Sequence, residues 1–189
     1  MEIISTKIED VKIIKPDVYG DSRGYFFESY NKAKYESFLI KNNWIQDNES
    51  TSKINTLRGL HYQIPPYTQA KIVRVIKGKV LDVAVDIRTD SPSFGQYVSI
   101  ILSGENKYQF YIPRGFAHGF FTMEDDTIFA YKCDNKYEKT AERGILFNDE
   151  TLNIKWPYTQ LEDYIISEKD LNNSTFKNAE LFTKKEYLK

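Results

Sequence analysis

Apolar and polar side chains alternate along much of this chain with the period of a β-strand. In residues 80–88, leucine, valine or isoleucine occupies every second position, and aspartate, alanine or arginine stands between them. This alternation predicts a half-buried strand. Residues 71–76 predict a second strand. Between the two, Lys77-Gly78-Lys79 predicts a tight hairpin in which Gly78 adopts a positive φ.

Similar short segments recur along the chain and are separated by turn-forming residues. They predict strands at 11–14, 24–30, 44–49, 97–102, 107–112, 118–123, 127–133 and 143–148. Many short strands at regular spacing are typical of a β-sandwich or barrel.

Helical patterns are scarce. Asn31 can cap a helix in which Tyr35, Phe38 and Leu39 share one face. Ser167 can begin a second short helix, and residues 183–189 predict a third that is short or frayed. No linker, repeat or low-complexity segment interrupts the chain.

The length of 189 residues is that of one domain, for which we expect a β core over residues 11–170 and a helical tail over 171–189. Such a chain buries roughly two thirds of its unfolded surface, so it needs no disulfide or metal to fold. Its one cysteine, Cys133, excludes an internal disulfide and a cysteine-built zinc site, and we interpret it as a packed thiol.

Charge and hydropathy exclude several classes of function. The net charge of −1 gives no basic field that would attract nucleic acid or an anionic membrane. No apolar run is long enough to span a bilayer, and the first residues have no apolar signal core, so we expect a cytoplasmic protein. The glycine motifs of dinucleotide-binding folds and phosphate loops and the Gly-x-Ser-x-Gly motif of hydrolases are also missing.

Two histidines, His61 and His118, are the first candidates for chemistry, and each lies near a glycine and an arginine in a strand-like segment. Either alone is more often a buried, hydrogen-bonded core residue. Together with one carboxylate they could form a facial metal triad, a less favoured alternative. Proton transfer without metal is favoured, with His61 as a general base. Lys71 could stabilise an oxyanion if it lies beside His61 in the sheet, and Tyr131 could deliver a proton from another side.

Ordered motifs along most of the chain point to one family. They are Asp21-x-Arg23-Gly24-Tyr25-Phe26-x-Glu28, Gln46-Asp47-Asn48-x-Ser50, Leu57-Arg58-Gly59-Leu60-His61-Tyr62-Gln63, Gln69-x-Lys71-x-Val73-Arg74, Asp82-Val83-Ala84-Val85-Asp86-x-Arg88, Ser91-Pro92-x-Phe94-Gly95, Ile112-Pro113-x-Gly115-Phe116-Ala117-His118-Gly119-Phe120, Tyr131-Lys132-Cys133 and Ser167-Glu168-Lys169-Asp170. Together they resemble the dTDP-4-dehydrorhamnose 3,5-epimerase family, the metal-free cupins of nucleotide-sugar synthesis. The resemblance implies an all-β, cupin-type jelly roll with a few short peripheral helices. It also implies a homodimer in which strands or loops cross to the partner.

The same resemblance implies a role for each candidate residue. His61 matches the catalytic base, Asp170 the carboxylate that orients it, Lys71 the stabiliser of the enolate oxygen and Tyr131 the acid on the opposite face of the sugar. Tyr137 matches the position that stacks on the thymine ring. The positions that match substrate contacts are Arg23, Glu28, Gln46, Asn48, Arg58, His118, Tyr137, Glu142 and Lys169. No metal and no other cofactor is implied.

The implied reaction inverts C3 and C5 of dTDP-4-dehydro-6-deoxy-D-glucose and gives dTDP-4-dehydro-L-rhamnose. Both carbons adjoin the C4 carbonyl, so loss of a proton gives an enolate that a nearby cation stabilises. Three features depart from the family pattern: Arg114 stands where an acidic residue is common, residues 137–140 lack the usual proline, and Arg143 adds a charge near the expected mouth of the site. Two alternatives stay open at this point, a mono-epimerase acting at C3 or C5 and a non-catalytic sugar-nucleotide-binding cupin.

Overall fold

Two antiparallel sheets pack face to face in the computed structural model, which describes residues 1–157 and 160–187. In spatial order, the larger sheet contains β1 (Glu2–Ser5), β2 (Lys12–Lys15), β10 (Gln109–Ile112), β7 (Lys71–Lys77), β12 (Thr127–Cys133) and β5 (Gln46–Ser52). The smaller sheet contains β13 (Glu142–Gly144), β6 (Leu57–Gln63), β11 (Phe116–Thr122), β8 (Lys79–Asp86) and β9 (Tyr97–Ser103). A separate hairpin consists of β3 (Tyr19–Asp21) and β4 (Gly24–Phe26). The predicted all-β sandwich is confirmed.

The helices are short and peripheral, as predicted. They are α1 (Lys32–Ser37), α2 (Glu168–Leu171), α3 (Lys184–Tyr187) and the 3-10 turns Lys139–Ala141, Leu161–Asp163 and Phe176–Asn178. Asn31 caps α1 by accepting a hydrogen bond from the Lys34 backbone N–H, as expected of this residue type. In the described part of the chain, no helix is long and apolar enough to cross a membrane.

One helix prediction is wrong. Tyr35 is buried, but Leu39 is 77% exposed and has a φ of 67°, because α1 ends at Ser37. The two therefore do not share a buried helical face. The third helix is confirmed over Lys184–Tyr187, and residues 188–189 lie outside the described residues.

The predicted hairpin at Lys77-Gly78-Lys79 is wrong. β7 pairs with β10 and β12 in the larger sheet, whereas β8 pairs with β9 and β11 in the smaller one, so this turn links the two sheets. Gly78 does adopt the predicted positive φ, at 84°. The residues of a turn indicate where the chain reverses direction, but they do not determine which strand will pair with the strand that follows the turn.

Strand β8 is buried on both faces, so the predicted half-buried strand is also wrong. Val80 and Ala84 pack between the sheets, while Val83 and Val85 pack against a layer that includes the C-terminal segment. That segment contributes buried Phe176, Phe182 and Tyr187. Residues 171–187 therefore form a packing layer with little helix, whereas a helical tail was predicted over 171–189. Strand β1 extends the larger sheet to a point before the predicted core.

Several predicted strand limits were also displaced. The strand predicted at 24–30 ends at Phe26, that at 44–49 lies at Gln46–Ser52, and that at 143–148 is reduced to Glu142–Gly144. After Phe26 the chain turns toward the Asn31 cap of α1, and Ile145 pairs irregularly with Leu60 through two backbone hydrogen bonds. Strand and helix limits depend on such neighbours, which local alternation does not specify.

Strands β6 and β11 approach unusually closely where a glycine of each strand faces the other. A Cβ added to Gly59 would lie 2.5 Å from the Gly119 Cα and 2.9 Å from the His118 carbonyl oxygen. Gly59 also has a φ of 133°, a conformation that favours glycine. This contact sets the register in which His61 and His118 lie directly opposite each other on neighbouring strands.

We predict that Gly59→Ala destabilises the protein by more than Gly24→Ala. Both glycines have a φ of 133°, but a Cβ at Gly24 meets nothing within 4 Å. Backbone strain costs about 1–3 kcal/mol at either site, and overpacking at Gly59 adds about 1–3 kcal/mol. Urea unfolding of the two variants measures the difference. Equal losses of free energy of unfolding would show that the close approach of β6 and β11 is not a packing constraint.

Candidate active site

A cavity of about 510 Å3 opens between the two sheets. One wall is the smaller sheet, which contributes His61 and His118, and the other is the larger sheet, which contributes Lys71 and Tyr131. The lining residues are Ser50, Thr56, Leu57, Arg58, His61, Lys71, His118, Phe120, Phe129, Tyr131, Ile165, Ile166, Ser167, Lys169 and Asp170. All four residues predicted to be catalytic therefore line one cavity.

His61 and Asp170 form a hydrogen-bonded pair at the side of this cavity. The distance from His61 Nε2 to Asp170 Oδ1 is 2.5 Å. The His61 side chain is 31% exposed and that of Asp170 only 5%, so the imidazole faces the cavity and the carboxylate lies behind it. Helix α2 delivers Asp170, and Ser167 caps this helix by accepting from the Asp170 backbone N–H.

Asp170 is held in its ionised form. Burial alone would raise the pKa of this carboxyl, but the hydrogen bond and charge of His61 outweigh burial, with help from the Gly59 backbone N–H and from Ser167, and the pKa lies below its ordinary value. A carboxylate at this position holds the hydrogen of the facing ring nitrogen. In the neutral ring, the lone pair then resides on the other nitrogen, which is the arrangement of a general base.

His118 is paired in the same manner but more deeply. Its Nε2 lies 2.9 Å from Asp82 Oδ1, so Asp82 holds this ring by a hydrogen bond. Asp82 itself is fully buried. Burial lowers the pKa of His118, and the opposing attraction of Asp82 offsets this only in part. His118 therefore stays neutral at physiological pH and offers a hydrogen-bonding ring rather than a charge.

Lys71 and Tyr131 lie across the cavity from His61. Lys71 begins β7 in the larger sheet, so it faces His61 across the cavity. The two do not lie side by side in one sheet, which was the condition considered from the sequence. Its Nζ lies 5.8 Å from the centre of the Tyr131 ring. Burial lowers the pKa of Lys71, against the attraction of Cys133, Asp82 and Glu142. Burial has the opposite effect on the Tyr131 hydroxyl: it raises the pKa, so this hydroxyl is protonated at neutral pH.

Cys133 is a packed thiol, as predicted from the sequence. It is 1% exposed, and burial raises the pKa of its thiol to about 11 despite the nearby ammonium of Lys71. The thiolate needed for nucleophilic attack is therefore suppressed.

Three predicted substrate contacts form a cluster at the rim of the cavity, here called the rim cluster: Tyr137, Glu142 and Lys169. Glu142 Oε2 lies 2.5 Å from Lys169 Nζ and accepts a 2.9 Å hydrogen bond from the Tyr137 hydroxyl. Burial would raise the pKa of Glu142, but these two partners lower it below its ordinary value. The rim cluster is continuous with the His61–Asp170 pair, because Lys169 precedes Asp170 in α2.

Comparison with known proteins decides the family. The family model described as dTDP-4-dehydrorhamnose 3,5-epimerase matches residues 5–178. The chain belongs to this family. The predicted family and the predicted 3,5-epimerase activity are thereby confirmed, and the enzyme is an isomerase.

Relatives of this epimerase align over nearly the whole chain. A dTDP-4-dehydrorhamnose 3,5-epimerase of Shigella flexneri is 49% identical over 183 residues, which cover 96% of this chain and 99% of the relative. One from Salmonella typhimurium is 51% identical over 171 residues, or 90% and 92% of the two chains. The crystal structure of dTDP-6-deoxy-D-glucose-3,5-epimerase from Legionella pneumophila, in complex with dTDP-4-keto-L-rhamnose, superposes with a TM-score of 0.92 at 47% identity, covering 96% of this chain and 97% of that one. This match confirms the cupin fold.

Six predicted substrate contacts of the epimerase do not line the cavity: Tyr137 and Glu142 of the rim cluster, and four others. Gln46 and Asn48 lie on β5 beside it; Asn48 pairs with Tyr131 in register and accepts a 2.8 Å hydrogen bond from Gln46. Arg23 lies at the exposed turn of the β3–β4 hairpin, with 89% of its side chain exposed, and pairs with Asp21. Glu28 follows this hairpin and binds Lys34 and Asn31.

The remaining predicted contact, Arg58, does line the cavity of the epimerase. Its Nε donates a 3.2 Å hydrogen bond to Ser52 Oγ. Arg114, which departs from the family pattern, lies away from this lining and donates to the buried Asp134 carboxylate at 2.9 Å.

Within the described residues, no group of three or more His, Cys, Asp and Glu side chains could hold a metal ion, so the facial triad considered from the sequence is not formed there.

Sequence reasoning missed the apolar part of this epimerase cavity. Phe120 and Phe129 come from opposite sheets and stack with ring centres 4.2 Å apart. Each lies two residues from a candidate, Phe120 after His118 and Phe129 before Tyr131, on the same face of the same strand. The period of two along β11 and β12 was the signal that could have identified both rings.

We predict that His118 makes the epimerase less stable in mild acid. The unfolded-state pKa of histidine is about 6.5, and the pKa in the folded protein is lower. The unfolded chain therefore takes up the proton first as the pH falls. The contribution to stability is complete above about pH 6.5 and is lost progressively below it.

In His118→Asn the loss of folding stability that His118 causes in mild acid should disappear, since asparagine does not titrate but can still donate to Asp82. Urea unfolding of both proteins between about pH 8 and pH 5 tests this, because aspartates titrate mainly below that range. A pH dependence that is the same in both proteins would contradict the assignment.

Proposed function

We propose that this chain epimerises its 4-keto nucleotide sugar by proton transfer alone, with His61 as the base and Tyr131 as the acid. The observation that carries this proposal is the position of the two side chains on opposite walls of one cavity. A flat sugar ring bound between the sheets presents one face to each wall. The hydrogen removed from one face by His61 is then replaced on the other face by Tyr131, and the carbon is inverted.

Lys71 supplies the positive charge that makes the C–H bonds at C3 and C5 acidic enough for His61 to deprotonate. C3 and C5 both adjoin the C4 carbonyl, so deprotonation at either carbon places negative charge on the C4 oxygen. An ammonium in a cavity with little water stabilises that oxygen far more than it would in bulk solvent. The same group serves both inversions because both enolates share this oxygen. The mechanism that we propose needs neither metal nor organic cofactor.

The protonation states of the cavity support these roles. Tyr131 keeps its proton at neutral pH because burial raises its pKa, so it can donate. Asp170 stays ionised and stabilises the imidazolium that forms when His61 takes the proton. His118 stays neutral and is suited to hydrogen-bond a sugar hydroxyl.

The rest of the dTDP-linked substrate extends toward the rim of the cavity. Arg58 and Lys169 both line the cavity and offer cations for the diphosphate, and the planar fork of an arginine suits phosphate oxygens. Tyr137 is 52% exposed and offers a flat surface on which the thymine ring can stack. Glu142 holds both Lys169 and Tyr137 and so links phosphate binding to base binding.

We also propose a homodimer in which the β3–β4 hairpin completes the site of the partner. This hairpin exposes Tyr19, Tyr25 and Phe26, each by more than half, which is unfavourable for an isolated chain in water. It also carries Arg23, which lies outside the cavity lining of its own chain. A second copy that receives the hairpin would cover these rings and gain the guanidinium. The cytoplasmic location expected from the sequence stays a prediction.

We predict that two variants separate the two proton transfers when the reaction is run in deuterated water. In His61→Asn, exchange and inversion should both fall by about 10²–10⁴-fold, the usual effect of losing a general base. In Tyr131→Phe the base and Lys71 remain, so the C–H bond still breaks, but the acid on the far face is lost. Deuterium should therefore still enter the sugar while inversion falls much further.

Mass spectrometry and NMR of the recovered sugar measure label at C3 and C5 against inverted product. A parallel fall of exchange and inversion in Tyr131→Phe would remove Tyr131 from the role of acid. Near-normal exchange in a folded His61→Asn would place the base elsewhere.

We further predict that Arg23→Ala and His61→Asn complement each other. Each variant alone should be inactive or nearly so. If hairpins are exchanged, a mixed dimer contains one site with an intact body and an intact hairpin, so random mixing restores about one quarter of the wild-type activity. The matched control mixes His61→Asn with Tyr131→Phe, whose changes both lie in the body of the cavity, and should restore nothing. No recovery in mixed dimers of Arg23→Ala and His61→Asn would mean that the hairpin does not serve the partner.

A further inference from the structure

Gln63 is a buried residue of the epimerase whose side chain forms hydrogen bonds to backbone groups. It lies on β6 two residues after His61, where metal-binding cupins usually carry the second histidine of a His-x-His motif. The side chain is buried, with 4% exposure. Its amide nitrogen donates to the Tyr67 carbonyl at 2.6 Å and to the Lys136 carbonyl at 3.0 Å, and its oxygen accepts from the Glu138 backbone N–H at 2.7 Å. Both amide hydrogens are thus engaged with backbone.

Two of these three hydrogen bonds hold the peptide groups on either side of Tyr137. One partner is the carbonyl of Lys136, which precedes Tyr137, and the other is the N–H of Glu138, which follows it. Residues 134–138 contain neither helix nor strand, so no regular hydrogen bonding fixes the backbone here. The Tyr137 ring itself is half exposed and is anchored at its hydroxyl by Glu142. Gln63 therefore holds Tyr137 from the backbone side.

Neighbouring contacts hold other parts of the same segment. Gln69 donates to the Asn135 carbonyl at 2.8 Å, and Asn135 in turn donates to the carbonyls of Pro66 and Thr68. None of these three hydrogen bonds engages a peptide group that adjoins Tyr137. A variant of Gln69 therefore provides a control that loosens the segment without releasing the backbone around the ring.

We propose that Gln63 is a positioning residue for recognition of the nucleotide base, and that it acts by holding the backbone of Tyr137. This inference rests on the proposed stacking of the thymine ring on Tyr137. A flat ring binds more tightly to a platform that is already ordered, because binding then incurs less loss of conformational entropy. A carboxamide suits this task because it offers two donors and an acceptor in one plane. A neutral imidazole offers only one of each.

The test compares two ligands in the full-length protein by calorimetry. One is dTDP, which has a base, and the other is inorganic pyrophosphate, which has none. Gln63→Met keeps the approximate shape of the side chain and removes its hydrogen bonds. Gln63→Glu is a second variant, which keeps an acceptor for the Glu138 N–H but faces two carbonyls without a donor. Gln69→Ala is the matched control, and thermal melting checks that each variant is folded.

We expect both Gln63 variants to bind dTDP at least about fivefold more weakly, the lower end of the loss from one stacked base. Pyrophosphate should bind as it does to the unchanged protein, and Gln69→Ala should bind both ligands normally. In turnover, KM should rise while kcat is retained, since His61, Lys71 and Tyr131 are all present. The double variant Gln63→Met with Tyr137→Ala should bind dTDP no more weakly than Tyr137→Ala alone, because Gln63 acts through Tyr137.

The outcomes separate this inference from the proposed function. If Tyr137→Ala leaves dTDP binding unchanged, the stacking role of Tyr137 is wrong and the role of Gln63 falls with it. If Tyr137→Ala weakens dTDP but the folded Gln63 variants do not, only the role of Gln63 is overturned. It is equally overturned if pyrophosphate binding weakens as much as dTDP binding, or if the effects of Gln63→Met and Tyr137→Ala add.

Discussion

Each imidazole in the cavity depends on one buried carboxylate. Asp170 reaches His61 from a helix near the C-terminus, and Asp82 reaches His118 from the strand next to it in the sheet. A buried carboxylate is costly unless a donor satisfies it, and a histidine ring needs a fixed partner to settle which nitrogen carries hydrogen. The two requirements satisfy each other in both pairs. The rest of the site is arranged around the two rings that result.

The sandwich gives access to both faces of a flat ring, which an epimerase also requires. His61 and His118 can lie opposite each other on neighbouring strands because Gly59 and Gly119 let those strands approach closely. Lys71 and Tyr131 come from the other sheet. The stacked rings of Phe120 and Phe129 bridge the two sheets within this cavity and line it with apolar surface. A cavity between sheets thus keeps the proposed base and the proposed acid apart, which inversion requires.

Among the residues proposed to contact the nucleotide, Tyr137 lies in an irregular segment, so neighbouring side chains have to fix its position. Glu142 joins Tyr137 to Lys169, and Gln63 engages the backbone on both sides of Tyr137. Each of these contacts links a segment outside the sheets to β6 or β13 of the smaller sheet. The sheets therefore hold His61, Lys71 and Tyr131 directly, and they hold the proposed nucleotide contacts through a small number of side-chain hydrogen bonds.

The sequence by itself determined the β class, the caps at Asn31 and Ser167, the set of titratable candidates and the family, because alternation, capping and ordered motifs are local properties of the chain. Tertiary structure alone decided that β7 and β8 lie in different sheets, that Lys71 faces His61 across a cavity and that β8 is buried on both sides. These outcomes depend on pairing between distant segments. A period of two records which residues share a face, but it carries no information on what will cover that face.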